Sequence, residues 1–276
     1  MIGVFDSGFG GLTILRELLR GLPGYDYLYL GDTARAPYGA RSPQVIHEWT
    51  RDAVDYLFRQ GCTLVVLACF SASANALRRL QMEWLPGRVP PLAGGSGLPG
   101  RRVLGVLVPL AEEADRISKT GRIGIMATRA TVNSGVLAAE MQKRRSNLEI
   151  TSQAAPLLVP LIEEGWAGRP ETRSILREYL DPFKKAKIDT LLLACTHYPL
   201  LYAGIVAEMG EGITVINPGE IVADSLVRYL MRHPELDCDL SKNGTCSFLT
   251  TDRPSEFEKL GSAFLGRPFK AGVVKY

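Results

Sequence analysis

Two short, wholly apolar runs of this 276-residue sequence each end at a cysteine that is followed by a polar turn. Residues 64–68 lead to Cys69, and residues 191–194 lead to Cys195. Apolar runs of this length are typical of strands buried on both faces of a parallel sheet. Ligands of such sheets bind at the carboxyl ends of the strands, so the two thiols could face one site. The alternative is that both cysteines serve only as small buried apolar side chains.

Short apolar runs alternate with helical patterns along the chain, which predicts parallel βαβ units and an α/β fold. The expected strands lie at residues 2–5, 27–30, 64–69, 103–108, 123–126, 148–150, 191–195, 214–217 and 245–250. The expected helices lie at residues 12–22, 44–60, 72–84, 134–144, 171–187, 219–233 and 256–265. The two halves share the order helix, strand, cysteine, so we expect two similar α/β domains.

Residues 86–102 interrupt this alternation with four prolines and five glycines. Such a composition predicts a mobile loop at a domain junction. We therefore expect a first domain of residues 1–102 together with residues 217–276, and a second domain of residues 103–216. The strand expected at residues 103–108 would open the second domain.

The overall composition is that of an ordinary globular protein, with 46% hydrophobic and 22% charged residues. The net charge of +3 includes no block of five or six basic residues, so no nucleic-acid partner is expected. No apolar stretch approaches the roughly 18 residues that span a bilayer, and no signal peptide is recognisable at the start. We expect a cytoplasmic protein without a membrane partner. Its five cysteines, an odd number, do not suggest a disulfide framework.

A carboxylate and a glycine-rich turn follow the first expected strand. Asp6 and Ser7 precede three glycines at the start of a helix, where backbone N–H groups can bind an anion. The turn is not a dinucleotide-binding fingerprint, because Thr13 stands where the third glycine belongs. A tight strand–helix turn is the alternative, although Asp6 has no evident structural role in it.

The second expected strand is followed by residues 31–39, which end in Pro37, Tyr38 and Gly39. This segment could offer a phenol and backbone N–H groups to a ligand. A plain Pro-Tyr-Gly turn is equally plausible from the residue types alone.

Two further titratable groups lie near these segments. Glu163 follows an apolar stretch marked by two prolines, and acids that open a helix usually complement its dipole on the surface. Glu163 would therefore matter only if it points inward. His197 lies two residues after Cys195, where an imidazole can tune a thiol. We expect no metal site, since Cys-x-His supplies too few ligands.

Together, these segments resemble the glutamate racemase family, the cofactor-independent branch of the aspartate/glutamate racemases. The matching segments are residues 2–13, 31–39, 68–69 with 72–74, 159–163, 195–201 and 217–219. The resemblance implies an active site in a cleft between two α/β domains, glutamate as substrate, no cofactor and a homodimer. It also implies a role in supplying D-glutamate for peptidoglycan and the cell wall.

The resemblance assigns roles to individual residues. Cys69 and Cys195 would be the two acid–base thiols, one on each face of the substrate α-carbon. Asp6, Glu163 and His197 would be auxiliary catalytic groups. The implied substrate-binding residues are Asp6, Ser7, Pro37, Tyr38, Gly39, Phe70, Ser71, Thr128, Thr131, Thr196 and His197.

One departure from the family concerns the substrate. Where the family has Cys-Asn-Thr, this chain has Cys69-Phe70-Ser71. Ser71 keeps the hydroxyl, but Phe70 replaces an amide, and the loss of such a hydrogen bond costs about 0.5–1.5 kcal/mol. A racemase for another amino acid, such as aspartate, is one alternative. A catalytically weak relative that acts as a binding or regulatory protein is another.

Overall fold

The computed structural model describes residues 1–86 and 100–276 of the chain. The expected loop at residues 86–102 therefore lies largely outside the described residues. The described strands form two sheets of six and four strands, and every strand pair is parallel. The expected α/β fold with two helix-flanked parallel sheets is confirmed.

The strands are β1 (Ile2–Asp6), β2 (Tyr27–Gly31), β3 (Leu64–Leu67), β4 (Arg102–Gly105), β5 (Arg122–Ala127), β6 (Glu149–Ala154), β7 (Thr190–Ala194), β8 (Thr214–Ile216), β9 (Cys246–Thr250) and β10 (Ala271–Val273). The helices are α1 (Leu12–Gly21), α2 (Pro43–Arg59), α3 (Phe70–Arg79), α4 (Leu107–Ile117), α5 (Arg129–Ser134), α6 (Val136–Arg144), α7 (Leu158–Glu163), α8 (Pro170–Lys185), α9 (Tyr202–Met209), α10 (Pro218–Arg232), α11 (Pro234–Asp239) and α12 (Pro254–Leu265). Short 3₁₀ turns lie at Thr33–Arg35, Tyr38–Ala40 and Tyr198–Leu201, and a π-helical turn extends α3 over Leu80–Trp84.

The first sheet has the strand order β10-β9-β2-β1-β3-β4, and the second has the order β6-β5-β7-β8. All residues of β1, β2, β3 and β7 are buried, as expected for central strands covered on both faces. Helix α1 adds Leu12, Leu15 and Leu18 to the core, in agreement with their helical spacing. None of the described helices combines the length and apolar character needed to cross a membrane.

The strand expected at residues 103–108 differs from the prediction in extent and in sheet. Strand β4 ends at Gly105, and α4 begins at Leu107, so Pro109 falls in the first helical turn, where a proline is tolerated. β4 pairs with β3 in the first sheet, so it does not open the second α/β series. A short apolar run carries no information about which neighbour it will pair with. The division of the chain at residues 102 and 216 stays a prediction.

The helix expected at residues 134–144 is confirmed as α6, whereas the six-residue α5 before it was not predicted. Thr128 accepts a hydrogen bond from the Thr131 N–H at the start of α5, which is an N-cap that the prediction missed. Gly135 then adopts a left-handed conformation, with φ of 65°, between α5 and α6. The chain therefore changes direction at Gly135 and does not continue one helix.

Asp189, just before β7, forms hydrogen bonds with residues at or near the starts of two other strands of the second sheet, β5 and β8. Its carboxylate accepts hydrogen bonds from Ser118 Oγ at 2.7 Å and from the Thr120 N–H at 2.6 Å. Its backbone N–H donates to the Arg122 carbonyl, and its own carbonyl accepts from the Thr214 N–H. Although burial opposes ionisation, the hydrogen bonds lower the pKa of Asp189 from 3.8 to about 2.

We expect Asp189→Asn to destabilise the protein at pH 7 by about 1–2 kcal/mol, a range reduced for the partial exposure of this carboxyl. A lowered pKa in the folded state stabilises the fold above the unfolded-state pKa, so this contribution disappears as the pH falls from about 4 to about 2. Urea unfolding at pH 7, 4 and 2.5 measures the difference in the free energy of unfolding between the variant and the unchanged protein. A difference that does not depend on pH would contradict the electrostatic origin.

Candidate active site

The carboxyl ends of strands from both sheets border a single pocket. Its lining residues are Ser7, Gly8, Ala36, Pro37, Tyr38, Gly39, Ala40, Cys69, Phe70, Ser71, Thr128, Pro156, Val159, Pro160, Glu163, Cys195, Thr196 and His197. Both cysteines identified from the sequence are among them, one from each sheet. Twelve of the predicted site residues therefore share one concave surface, whereas Asp6 and Thr131 lie behind it.

Cys69 stands two residues after the end of β3 and immediately precedes α3. Its side chain is 5% exposed, and its sulfur lies 3.5 Å from Ser7 Oγ. Burial, together with the nearby carboxylate of Asp6, raises the pKa of Cys69 to about 12. Cys69 is therefore a neutral thiol at pH 7 and can donate a proton.

Cys195 follows β7 and has a different neighbour. His197 interacts with Cys195, and its Nε2 lies 2.9 Å from Glu163 Oε1. Although burial opposes protonation, these two partners raise the pKa of His197 to about 10, so the ring is an imidazolium at pH 7. The two sulfurs therefore have different charged neighbours, a carboxylate beside Cys69 and an imidazolium beside Cys195.

Glu163 reaches the pocket from the end of α7. The sequence interpretation placed it at the opening of a helix, but it is the last residue of α7 and its carboxylate contacts His197. The surface alternative for Glu163 is therefore wrong. The periodicity of residues 156–165 could not show this, because α7 is only six residues long.

Asp6 has a structural role that the sequence did not reveal. Its carboxylate accepts a hydrogen bond from the Gly8 N–H at 2.9 Å and one from Thr196 Oγ1 at 3.4 Å. The anion bound by this turn is thus the chain's own carboxylate. Burial is the main cause of a raised pKa at Asp6. Asp6 influences the pocket through its charge beside Cys69 and not by lining it.

Tyr38 does not present its phenol to the pocket as the sequence suggested. Its hydroxyl donates a hydrogen bond to Asp32 Oδ2 at 2.5 Å, and the side chain is almost fully buried. The next residue, Gly39, packs against Thr128, because a Cβ at Gly39 would lie 2.8 Å from the Thr128 Cβ. Residues 37–39 therefore offer the pocket backbone and ring surface.

Hydroxyl groups connect the two domains along one wall of the pocket. Ser71 Oγ lies 2.9 Å from Thr128 Oγ1, which lies 3.1 Å from Thr131 Oγ1. Ser71 and Thr128 line the pocket, and Thr131 supports them from behind. Phe70 lines the pocket beside Cys69 and is 1% exposed, so an apolar ring occupies the position of the family's amide.

The turn after β1 packs directly against the turn after β7. A Cβ at Gly10 would lie 2.1 Å from Thr196 Oγ1 and 2.5 Å from His197 Nδ1, distances that no real Cβ adopts. Thr13 Oγ1 also lies 3.0 Å from the Thr196 carbonyl oxygen. Thr13, which excluded a dinucleotide fingerprint in the sequence, thus connects the two turns.

Six lining residues were not identified from the sequence: Gly8, Ala36, Ala40, Pro156, Val159 and Pro160. Gly8, Ala36, Val159 and Pro160 lie within matching segments and Ala40 adjoins one, whereas Pro156 lies three residues before the nearest. The residues described as lining the pocket include no lysine or arginine. The described part of the chain contains no group of three or more His, Cys, Asp or Glu side chains that is arranged to hold a metal ion.

A family model for Asp/Glu/hydantoin racemases matches residues 2–226 of the chain. The chain belongs to this racemase family. A glutamate racemase from Geobacter metallireducens is 36% identical over 265 residues, which are 96% of this chain and 92% of that protein. Membership of this racemase family makes the chain an isomerase.

Solved structures of glutamate racemases have the same fold. The structure of an isoform from Bacillus anthracis has a TM-score of 0.88 at 32% identity and covers 100% of this chain and 97% of that one. The structure of the Francisella tularensis protein in complex with D-glutamate has a TM-score of 0.85 at 31% identity, over 99% and 97% of the two chains. The racemase fold therefore accounts for both sheets of the described residues.

We expect Gly10→Ala to lower the melting temperature by several degrees, because the added methyl group would collide with Thr196 and His197. Overpacking of this kind costs about 1–3 kcal/mol. Gly24→Ala is the matched control, since a Cβ at Gly24 would meet nothing within 4 Å. Differential scanning calorimetry compares the two variants, and equal melting temperatures would show that the two turns do not pack as closely as described.

Proposed function

We propose that this chain is a glutamate racemase that interconverts L- and D-glutamate without a cofactor and supplies D-glutamate for peptidoglycan. The observation that carries the proposal is that Cys69 and Cys195, one after a strand of each sheet, line the same pocket. The similarity to glutamate racemases over 96% of the chain supports the same reaction. Racemisation needs a proton removed from one face of the α-carbon and a proton returned to the other, and two thiols suffice for this.

In the proposed mechanism, the Cys195 thiolate takes the α-proton and becomes a thiol. The electron pair of the broken C–H bond stays on the α-carbon and is delocalised into the carboxylate. The Cys69 thiol then gives its proton to the opposite face and becomes a thiolate. The reverse reaction uses the two sulfurs in exchanged roles, and His197 with Glu163 stabilises the charge at Cys195.

The remaining predicted residues would bind and orient the substrate. Ser7, Ser71, Thr128 and Thr196 would supply hydroxyl groups, and the segment 37–39 would supply backbone N–H groups. The described lining contains no lysine or arginine, so the imidazolium of His197 would be its cationic group, and hydroxyl and backbone groups would bind the rest of the substrate. General acid–base catalysis contributes about 10²–10⁴-fold, so exclusion of water and stabilisation of the carbanion must supply the rest.

Phe70 favours a second candidate, a racemase for another amino acid such as aspartate. The ring removes one hydrogen-bonding group from the pocket wall and fills space beside Cys69. The same two thiols would serve either substrate, so the distinction concerns binding and not chemistry. We further propose, on the family resemblance, that the enzyme is a cytoplasmic homodimer.

We expect the purified protein in D₂O, without added cofactor, to deuterate the α-carbon of L-glutamate and to form D-glutamate. Cys69→Ser and Cys195→Ser should each lower racemisation at least about 10³-fold, since a serine hydroxyl is a far weaker acid than a thiol. Proton NMR follows the deuteration, and chiral chromatography follows the product. Cys238→Ser is the matched control, because Cys238 is exposed and outside the pocket.

Deuteration of aspartate or another amino acid, but not of glutamate, would favour the second candidate. The absence of any deuteration would favour a binding protein. Substantial activity in either pocket variant would refute the two-thiol mechanism.

We expect Phe70→Asn to lower the KM for glutamate about 2- to 10-fold by restoring one hydrogen bond at the pocket wall. Phe70→Leu is the control, because it removes the ring without adding an amide. Steady-state kinetics with L- and D-glutamate, together with melting temperatures to verify folding, measure both variants. If Phe70→Asn and Phe70→Leu change the KM for glutamate equally, the missing amide does not limit glutamate binding.

A further inference from the structure

The segment 32–40, which borders the pocket, is held from behind by the carboxylate of Asp32. This carboxylate is fully buried and accepts hydrogen bonds from the Tyr38 hydroxyl at 2.5 Å and from Thr251 Oγ1 at 2.9 Å. It is also paired with Arg35, whose Nε lies 2.7 Å from Asp32 Oδ2. The position of Tyr38, and of Gly39 after it, therefore depends on where Asp32 and Arg35 are held.

Arg35 lies between two aromatic rings. Its guanidinium carbon is 5.5 Å from the ring centre of Trp49 on α2 and 5.0 Å from that of Tyr276, three residues after β10. Tyr276 in turn stacks on Tyr56 of α2, with ring centres 5.1 Å apart. Cations held over aromatic faces in this way are attracted by the ring quadrupole. The Trp49 ring also packs directly against the Tyr38 ring, with ring centres 5.4 Å apart.

We propose that Tyr276 is a positioning residue for the substrate pocket, acting through Arg35 and Asp32 on Tyr38 and Gly39. The proposal deepens the proposed racemase function and rests on it for the kinetic consequence. Tyr276 lines none of the pocket, so any effect on substrate binding must pass through the residues between them. Its ring, not a charge, makes the contact with Arg35, so its removal loosens Arg35 without leaving a buried charge unpaired.

This arrangement predicts a specific kinetic signature. Tyr276→Ala should raise the KM for glutamate about 3- to 30-fold, the range expected for losing one cation–π contact, while kcat stays within about twofold. Tyr276→Phe keeps the ring and should stay within twofold of the unchanged protein in both constants. Arg169→Ala is the matched control, because it removes a comparable arginine–aromatic contact, at 4.0 Å from Trp166, away from this pocket.

A second set of variants tests the route through Arg35. If Tyr276 acts by holding Arg35, then Tyr276→Ala should have no further effect on KM in an Arg35→Ala background. Full additivity of the two changes would refute this route. A loss of kcat at unchanged KM, accompanied by a lower melting temperature, would mean that Tyr276 only stabilises the fold.

Hydrogen–deuterium exchange of the unliganded protein separates this proposal from the proposed function, because it needs no substrate. The amides of residues 33–40 should exchange faster in Tyr276→Ala and at the unchanged rate in Tyr276→Phe and Arg169→Ala. Unchanged exchange in Tyr276→Ala would overturn the positioning role whatever the substrate is. Faster exchange without any glutamate turnover in the unchanged protein would keep the positioning role and reject glutamate as substrate.

Discussion

The close packing of the turn after β1 on the turn after β7 determines how the two halves of the molecule meet. Gly10 has no side chain because Thr196 and His197 occupy the space where a Cβ would stand. Hydrogen bonds from Thr13 to the Thr196 carbonyl and from Thr196 to Asp6 reinforce this contact. Because β1 pairs with β3 in the first sheet, fixing the turn after β1 on the turn after β7 also helps to fix the groups that follow β3 relative to those that follow β7.

The same contact makes the environments of the two sulfurs unequal. Cys69 is buried beside the Asp6 carboxylate, and both effects disfavour a negative charge on its sulfur. Cys195 lies beside His197, which Glu163 helps to keep protonated. A reaction that moves one proton from the α-carbon to a sulfur and another from a sulfur to the α-carbon needs one base and one acid at the start. The two sulfurs thus lie in electrostatically different surroundings, as the proposed two-thiol reaction requires.

Much of the fold was predictable because buried strands and amphipathic helices leave strong periodic patterns. The errors lie where pairing or a single backbone conformation decides the outcome. β4 joined the first sheet because strand pairing is a long-range choice that a short apolar run does not encode. Helix α5 was missed because it is only six residues long and ends at Gly135, whose left-handed conformation separates it from α6. The phenol of Tyr38 turned away from the pocket because the buried carboxylate of Asp32 accepts its hydrogen bond.

By itself, the sequence determined the alternating α/β pattern, the two strands that end in Cys69 and Cys195, and the motifs that resemble one racemase family. These features are local, since they depend on residue type and spacing over a few positions. Only the tertiary structure decided that both thiols border one pocket, that Asp6 lies behind it and that Glu163 reaches His197. Those relations join residues far apart in the chain. Burial, charge and hydrogen bonding between such residues exist only once the two sheets have packed together.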